Sequence, residues 1–317
     1  MNFRCLTFGF RWPPQSKIKN LKSKISDYGR LIRFSHTVFA LPFALAAVAL
    51  AWPAHPVTPR ILFWILVAMV GARSAAMGFN RLVDRKFDAL NPRTRAWELP
   101  QGSVKVWEAI VLTVAASLVF VYAAYQLNSI CFALSPVALA IVFFYSLTKR
   151  FTWASHFFLG LALSLAPMGA WLAVSGPPID LQELATPFFL GLAVLFWLAG
   201  FDVIYSLQDL AFDRKAGLHS IPVRFGIAGA LRFSSVFHAC TVVFLAAVGI
   251  SAQTGFIYWI GFAIVAVILF WEHRLVTPTD LSRINRAFFD FNAYVSIGYL
   301  LTTVADLLLI NGPGTGR

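Results

Sequence analysis

Acidic side chains are scarce in this sequence, and the chemistry that it can support lies where they cluster. Only 14 of the 317 residues are Asp or Glu. The first cluster is an N-x-x-x-D-x-x-x-D pattern formed by Asn80, Asp84 and Asp88. With about 3.6 residues in each helical turn, these three positions share one face of a helix. We therefore expect their oxygen atoms to point in the same direction.

A second acidic cluster has the same kind of helical spacing. Asp202, Tyr205, Asp209 and Asp213 follow one another at intervals of three, four and four residues, which again places them on one helical face. Each cluster comes at the end of a long apolar segment. The two clusters therefore indicate two similar halves with an acidic site on each, although the remaining sequence shows no obvious repeat.

These side chains favour a particular kind of metal chemistry. Carboxylate and amide oxygens, without a cluster of Cys or His, suit a hard cation such as Mg²⁺. Two facing pairs of carboxylates repel each other, and a metal between them would turn them into a clamp for a diphosphate. Five basic residues lie within or beside the motifs and can neutralise further charge: Arg81, Arg85, Lys86, Arg214 and Lys215.

The alternative is that these acids are solvated surface residues in weak ion pairs. That interpretation would be preferred for a single D-x-x-x-D motif, but two motifs at equivalent positions favour a functional site. Asp202 supports this interpretation, because it is an ionisable residue inside an apolar segment.

A third polar group follows another apolar segment. Lys149 and Arg150 are adjacent, and both can bind a diphosphate. Lys149 would act as a point charge, and Arg150 would donate two hydrogen bonds from its guanidinium. The same pair can equally be an anchor at a membrane surface.

The composition identifies the elements that must position these residues. The chain is 59% hydrophobic and 13% charged, with a mean hydropathy of +0.72, whereas globular domains are about 45–50% apolar and about 25% charged. A soluble fold is excluded. Apolar segments near the roughly 20 residues needed to cross a bilayer occur nine times, at about 34–52, 61–79, 106–125, 130–148, 154–175, 186–207, 233–250, 255–271 and 289–310.

These segments predict an all-α integral membrane protein with nine transmembrane helices, because a spanning segment must satisfy its own backbone hydrogen bonds. The membrane domain extends over 34–310, after a basic tail at 1–33 and before a short tail at 311–317. For the basic tail, an interfacial helix and a partly disordered segment both remain open, and an organellar targeting peptide is a weaker option.

The net charge of +12 reflects topology. Twenty-three of the 26 Lys and Arg lie in the first tail and in connections on the same side of the predicted membrane. By the positive-inside rule, the N-terminus and these connections are cytoplasmic. We therefore expect no nucleic-acid partner, and the three cysteines indicate neither a disulfide framework nor a zinc site.

The polar clusters and the nine segments together closely resemble the UbiA superfamily of membrane prenyltransferases, specifically its 4-hydroxybenzoate polyprenyltransferase group. The resemblance covers nearly the whole chain after residue 30. It rests on segments 33–42, 78–94, 145–150, 200–213 and 217–222.

The resemblance implies nine helices around a central cavity, with cytoplasmic cap loops that hold a diphosphate and Mg²⁺. It assigns metal and diphosphate binding to Asn80, Asp84, Asp88, Asp209 and Asp213. It also places Tyr205 in a Y-x-x-x-D motif, and Lys149 and Arg150 at basic positions for diphosphate or aromatic-acid binding. Arg81 and Lys215 are further diphosphate candidates, and Arg81 stands where many relatives have Asp.

The activity implied is transfer of a polyprenyl chain to the ring of a hydroxylated aromatic acid in ubiquinone or menaquinone synthesis. Asp202 and Asp209 are candidate bases for the ring proton, with Tyr205 beside them. The acid group of the acceptor needs a cation, for which Arg33, His36 and Arg73 are candidates alongside Arg150. Six aromatic residues are candidates for shielding a prenyl cation, with ordinary packing as the alternative for each: Phe143, Phe144, Trp171, Phe196, Trp197 and Phe201.

The acceptor stays open between 4-hydroxybenzoate and a dihydroxynaphthoate, because both are phenolic acids. A cation-coupled transporter is the alternative from another class, but it predicts acids near the middle of the membrane. The motif acids lie instead at the ends of their apolar segments. We expect a multi-pass enzyme of the bacterial inner membrane, in contact with lipid and with no obligatory protein partner.

Overall fold

The computed structural model describes residues 26–31 and 40–309, and within these ranges the protein is a bundle of helices. Nine helices form its frame: α1 Leu41–Ala51, α2 Pro59–Leu90, α3 Val106–Leu127, α4 Ser129–Thr148, α5 Ser155–Ser175, α6 Ala185–Ser206, α7 Ile221–Ser251, α8 Phe256–Leu275 and α9 Asn292–Leu309. No β-strand occurs in the ranges described, which contain one isolated bridge between Thr277 and Asp280. The all-helical prediction is confirmed.

Eight of the helices are long and apolar enough to cross a membrane. They are α2 to α9, with α6 continuing to Lys215 and α9 beginning at Phe289. The ninth helix, α1, has 11 residues, and the predicted first span begins at 34, before the described residues resume at 40. The protein is therefore a multi-pass integral membrane protein, with eight long apolar helices and one shorter apolar helix, α1, in the part described.

Local sequence signals account for where several helices begin. The Thr58 side chain accepts a hydrogen bond from the Ile61 backbone at the start of α2, and Pro59 follows it. Asn128 caps α4 by accepting from the Cys131 backbone, and it also donates to the Leu172 carbonyl at 2.8 Å. This second bond ties the start of α4 to the end of α5.

Glycines allow two helix pairs to pack closely. A Cβ added at Gly160 of α5 would lie 2.3 Å from the Leu195 carbonyl oxygen of α6. A Cβ at Gly71 of α2 would lie 2.9 Å from the Phe120 backbone nitrogen of α3. Backbones approach this closely in membranes where small residues leave room, so these glycines set the spacing of helices around the interior.

The interior has a solid part and a hollow part. In the solid part, Phe43 of α1 stacks against Tyr299 of α9 and contacts Trp197 of α6 at a ring distance of 4.9 Å. In the hollow part, α2 to α6 surround a cavity of about 590 Å³. Helices α2, α4 and α6 all end on the same side of the bundle, which is called the motif end below.

Two irregular segments cover the motif end. After α6, a 3₁₀ turn at Leu207–Asp209 leads into a short helix at Leu210–Lys215. After α2, the connection to α3 contains a short helix at Glu98–Gln101. The helix at 26–31 contacts this second connection through a 3.1 Å ion pair between Arg30 and Glu98. The irregular segments therefore carry polar residues across the mouth of the cavity.

Candidate active site

The cavity changes character along its length. Its motif end is lined by acidic and basic side chains, and its body by apolar residues of α2, α4 and α5. Its deepest lining includes Leu127, Cys131 and Leu172, which lie at the opposite ends of their helices. The cavity therefore passes through most of the thickness of the bundle, as a long apolar channel with a charged mouth.

The first acidic motif faces this mouth as its spacing predicts. Asn80, Asp84 and Asp88 all line the cavity from α2. The Asn80 amide donates to Asp84 Oδ2 at 2.9 Å. Asp88 Oδ2 is buried without a hydrogen-bond partner, and it lies 3.6 Å from Arg81 Nη1.

The second motif faces the first from the end of α6. Asp202, Tyr205, Asp209 and Asp213 all line the cavity, although the 3₁₀ turn interrupts the helix between them. These four side chains therefore face the cavity together, as their spacing predicts, although the helix is interrupted between them.

Asp209 is held by the connection after α2. Arg93 donates to both of its carboxylate oxygens, from Nε at 2.8 Å and from Nη2 at 2.6 Å. Asn91 donates to Asp209 Oδ1 at 3.0 Å. Burial alone would lower the pKa of Arg93, but its hydrogen bonds and charge interaction with Asp209 outweigh burial and raise this pKa above the ordinary value.

The end of α4 connects the two motifs. Lys149 donates to Asp213 at 2.9 Å, and Arg150 donates to Asp84 at 2.8 Å and to the Val83 carbonyl at 2.9 Å. Burial alone would lower the pKa of Lys149, but the charge and hydrogen bond of Asp213 raise it above the ordinary value. Lys149 therefore stays charged beside the second acidic motif, and Arg150 contacts the first.

These donors fit Mg²⁺ by their chemistry. The motifs supply carboxylate and amide oxygens, and Asp88 Oδ2 is a buried acceptor that no donor satisfies. Basic side chains neutralise Asp84, Asp209 and Asp213 in this arrangement. Within the described ranges, no three His, Cys, Asp or Glu side chains lie close enough together to hold a metal.

Asp202 lies deeper than the other acids and has a different partner. It is two helical turns, roughly 10 Å, before Asp209 along the chain. Its Oδ2 is 2.6 Å from Nδ1 of His156, a residue of α5 that is 1% exposed. Tyr205 lies between the two acids in sequence, with its hydroxyl 3.4 Å from Arg93 Nη1.

The predicted basic residues have different environments. Arg73 lines the cavity on α2, about two turns deeper than Asn80. Arg81 also lines the cavity, but its guanidinium lies 3.7 Å from the centre of the Trp97 ring and close to Asp88. Arg81 is thus packed against the first motif.

The structure does not bring Lys215 to the site. This predicted diphosphate ligand is exposed at the end of its short helix, and it is not among the residues that line the cavity. Asp213 and Lys215 are two residues apart in the same short helix, about 200° around its axis, so the helix that turns Asp213 towards the cavity turns Lys215 away from it. The predicted acceptor ligands Arg33 and His36 lie outside the described residues.

Most of the rings that line the cavity are not those expected. Of the six aromatic residues predicted for it, Phe201 alone lines the cavity, whereas Phe144 is 44% exposed on the outer face and Trp197 is fully buried in the solid core. The helical phase of each residue decides this outcome. The other rings at the cavity are Phe87, Trp97, Phe120, Tyr145, Tyr205 and Phe212.

Sequence reasoning gave no role to Asn91, Arg93, Trp97 or His156. Asn91 and Arg93 had a signal, because they belong to an N-P-R-T segment at 91–94 that follows the first motif, whereas Trp97 lies beyond this segment. His156 had none, since an isolated histidine after a basic pair is compatible with many roles.

Comparisons with known proteins agree with this architecture. A family model described as "UbiA prenyltransferase family" matches residues 40–295. The 4-hydroxybenzoate octaprenyltransferase of Methylobacillus flagellatus is 30% identical over 289 residues, which are 90% of this chain and 96% of that protein. The enzyme of the same name from Aromatoleum aromaticum is 32% identical over 86% of this chain and 91% of its own length.

Solved structures share the fold. The apo structure of a UbiA homolog from Aeropyrum pernix K1 superposes with a TM-score of 0.79 at 34% identity, covering 86% of this chain and 98% of that chain. A UbiA homolog from Archaeoglobus fulgidus bound to GPP and Mg²⁺ superposes with a TM-score of 0.66 at 22% identity, covering 88% and 99%. At this lower identity the second match shows the common fold alone.

Proposed function

The chain belongs to the UbiA prenyltransferase family, and we propose that it transfers a polyprenyl chain from its diphosphate to the ring of 4-hydroxybenzoate in quinone synthesis. The membership confirms the resemblance and the enzyme class predicted from the motifs. The observation that carries the proposal is the pair of acidic motifs facing each other at the mouth of a long apolar channel. The names of the curated relatives support 4-hydroxybenzoate over a dihydroxynaphthoate.

The mouth provides the groups that a diphosphate requires. Lys149 and Arg150 already bridge the two motifs, and Arg93 lies beside Tyr205 and Asp209. In our proposal these cations bind the diphosphate, while Asn80, Asp84, Asp88, Asp209 and Asp213 hold Mg²⁺. When bound, Mg²⁺ neutralises the negative charge that develops on the departing diphosphate. The Mg²⁺-bound relative from Archaeoglobus fulgidus supports the choice of metal.

The channel below the mouth shields the prenyl chain from water. Its apolar lining from α2, α4 and α5 reaches the far end of the bundle and suits a long hydrocarbon. Phe201 and Tyr145 lie near the mouth, where a cation would form at the first carbon of the chain. Their rings can stabilise that positive charge.

The acceptor requires a cation for its carboxylate and a base for its ring proton. Arg73 meets the first need, because it lines the channel about two turns below the first motif. Of the two candidate bases, Asp209 has both carboxylate oxygens bonded to Arg93, whereas Asp202 has one oxygen bonded to His156. Asp202 is therefore the base in our proposal, and Asp209 belongs to the metal and diphosphate site.

The position of the site also bears on membrane orientation. The motif end carries most of the basic connections, and the positive-inside rule places these in the cytoplasm. We propose that the active site opens to the cytoplasmic face of the bacterial inner membrane, where it can receive a charged aromatic acid.

A prenyl-transfer assay tests the proposal. Membranes containing the protein are incubated with a polyprenyl diphosphate, Mg²⁺ and either 4-hydroxybenzoate or a dihydroxynaphthoate, and products are identified by mass spectrometry. We expect prenylated 4-hydroxybenzoate, and its loss in Asp84→Asn and Asp213→Asn. Asp280→Asn is the matched control, because Asp280 is exposed and distant in sequence from both motifs. Full product formation by the two motif variants would refute the metal clamp, and preference for the naphthoate would reassign the acceptor.

A further inference from the structure

A buried histidine behind Asp202 stands apart from the network at the mouth. His156 occupies the first turn of α5, with 1% of its side chain exposed. The Asp202 side chain is 23% exposed and lines the cavity. The two residues are 46 positions apart in sequence and meet at 2.6 Å. Their contact therefore joins the wall of the channel to a group that the channel does not reach.

The proposed role of Asp202 as a base assigns the donor. A carboxylate that is to take a proton must be ionised and can then only accept hydrogen bonds, so in that state Nδ1 of His156 carries the proton that faces Asp202 Oδ2. The other ring nitrogen, Nε2, is buried and has no hydrogen-bond partner. A buried polar atom without a partner destabilises the fold. An apolar residue would avoid this cost, which indicates that the Nδ1 contact has a use.

Asp202 also differs from the other acids of the site in what surrounds it. Asp84, Asp209 and Asp213 each form an ion pair with an Arg or Lys. Each of these cations can leave its carboxylate and bind a diphosphate. Asp202 instead has a partner that is not among the residues lining the cavity, and therefore cannot reach a substrate there. Its Oδ1 is left for the cavity.

We propose that His156 is a positioning residue for proton removal from the acceptor ring. By donating Nδ1–H to Oδ2, it holds the Asp202 carboxylate turned so that Oδ1 faces the ring. This inference rests on the proposed function. In the step concerned, the C–H bond beside the phenolic carbon breaks, its electron pair restores the aromatic ring, and an O–H bond forms on Asp202.

Substitutions at His156 test this role. His156→Leu removes the donor, whereas His156→Asn keeps an N–H near the position of Nδ1 and His156→Gln moves it further from the backbone. His219→Leu is the control, since His219 is exposed. The protein in detergent or lipid is assayed with a polyprenyl diphosphate, Mg²⁺ and 4-hydroxybenzoate, either unlabelled or deuterated at both ring positions beside the hydroxyl. Thermal unfolding of each variant reports its folding.

We expect His156→Leu to lower kcat by about a hundredfold, the scale of a small misplacement of a reacting group. The KM for the polyprenyl diphosphate should stay unchanged, and the deuterated acceptor should react more slowly than the unlabelled one by a larger ratio than in the native protein. His156→Asn should recover much of the rate, and His156→Gln less.

Equal rates in the Leu variant and the native protein would overturn the proposal. A lower kcat without a larger isotope ratio would also overturn it, because a purely structural role would slow every step. If the Leu variant does not fold, the Asn and Gln variants are compared instead. Equal activity of these two variants would then overturn the proposal. Absence of prenylated product from the native protein would instead refute the proposed function itself.

Discussion

The two-pronged contact between Arg93 and Asp209 leads to a measurable prediction about metal binding. Arg93 occupies both carboxylate oxygens of Asp209, at 2.8 and 2.6 Å. A metal ion that approaches Asp209 from the side of Arg93 therefore competes with this guanidinium for the same oxygens. We expect Arg93→Gln to tighten the binding of a divalent cation in the absence of prenyl diphosphate, because the cation no longer competes with Arg93.

The structure gives the size of this effect. Hydrogen bonds to charged groups contribute roughly 1.5–3 kcal/mol. The Arg93 side chain is 31% exposed, so solvent screening reduces the net contribution to about 1 kcal/mol. Such an amount corresponds to about a fivefold lower dissociation constant for the cation. The same variant should lose transferase activity, because it also removes a cation from the diphosphate site.

Electron paramagnetic resonance of Mn²⁺ provides the assay, because the signal of the free ion decreases as the ion binds to the protein. Arg95→Gln is the matched control: it removes the same charge from the same connection, and its side chain is exposed. An unchanged or weaker Mn²⁺ affinity in Arg93→Gln, or an equal gain in Arg95→Gln, would refute the competition between Arg93 and the metal.

Three further predictions concern packing, substrate length and charge. Gly160→Ala should destabilise the protein by about 1–3 kcal/mol, because its Cβ would lie 2.3 Å from the Leu195 carbonyl oxygen. Gly169→Ala is the control, because its Cβ would meet nothing within 4 Å. Thermal unfolding in detergent compares the two variants. Gly169→Trp should fill the channel and restrict products to short prenyl chains, while Gly169→Ala keeps the native lengths on mass spectrometry. Lys149→His should lose activity as pH rises through about 6.5, the ordinary histidine pKa, because the side chain then loses the positive charge that pairs with Asp213. The native protein should keep its activity in this pH range, because the pKa of Lys149 is raised.

The acidic motifs were predictable because their geometry is local. The spacing of Asn80, Asp84 and Asp88 fixes a common helical face before any tertiary contact forms. The same reasoning placed Asp209 and Asp213 together, and both motifs line the cavity. Lys215 was predicted from its place beside the second motif and not from this spacing, and it lies two residues after Asp213, on the opposite side of the short helix.

The aromatic residues that line the cavity could not be predicted from composition. The abundance of Phe and Trp in the apolar segments indicates that rings are available, but every face of a membrane helix can be apolar. Hydrophobicity therefore does not distinguish Phe201, which faces the channel, from Phe144, which is exposed on the outer face. The packing of neighbouring helices makes that choice.

The sequence by itself determined the membrane-spanning helices, the two acidic faces and the family, because each depends on the order of residues within one segment or on motifs read in series. Tertiary structure alone decided the partners of those acids. Arg93 reaches Asp209 across 116 positions and His156 reaches Asp202 across 46. Such contacts depend on how separate helices and their connections are arranged in space, which no local periodicity encodes.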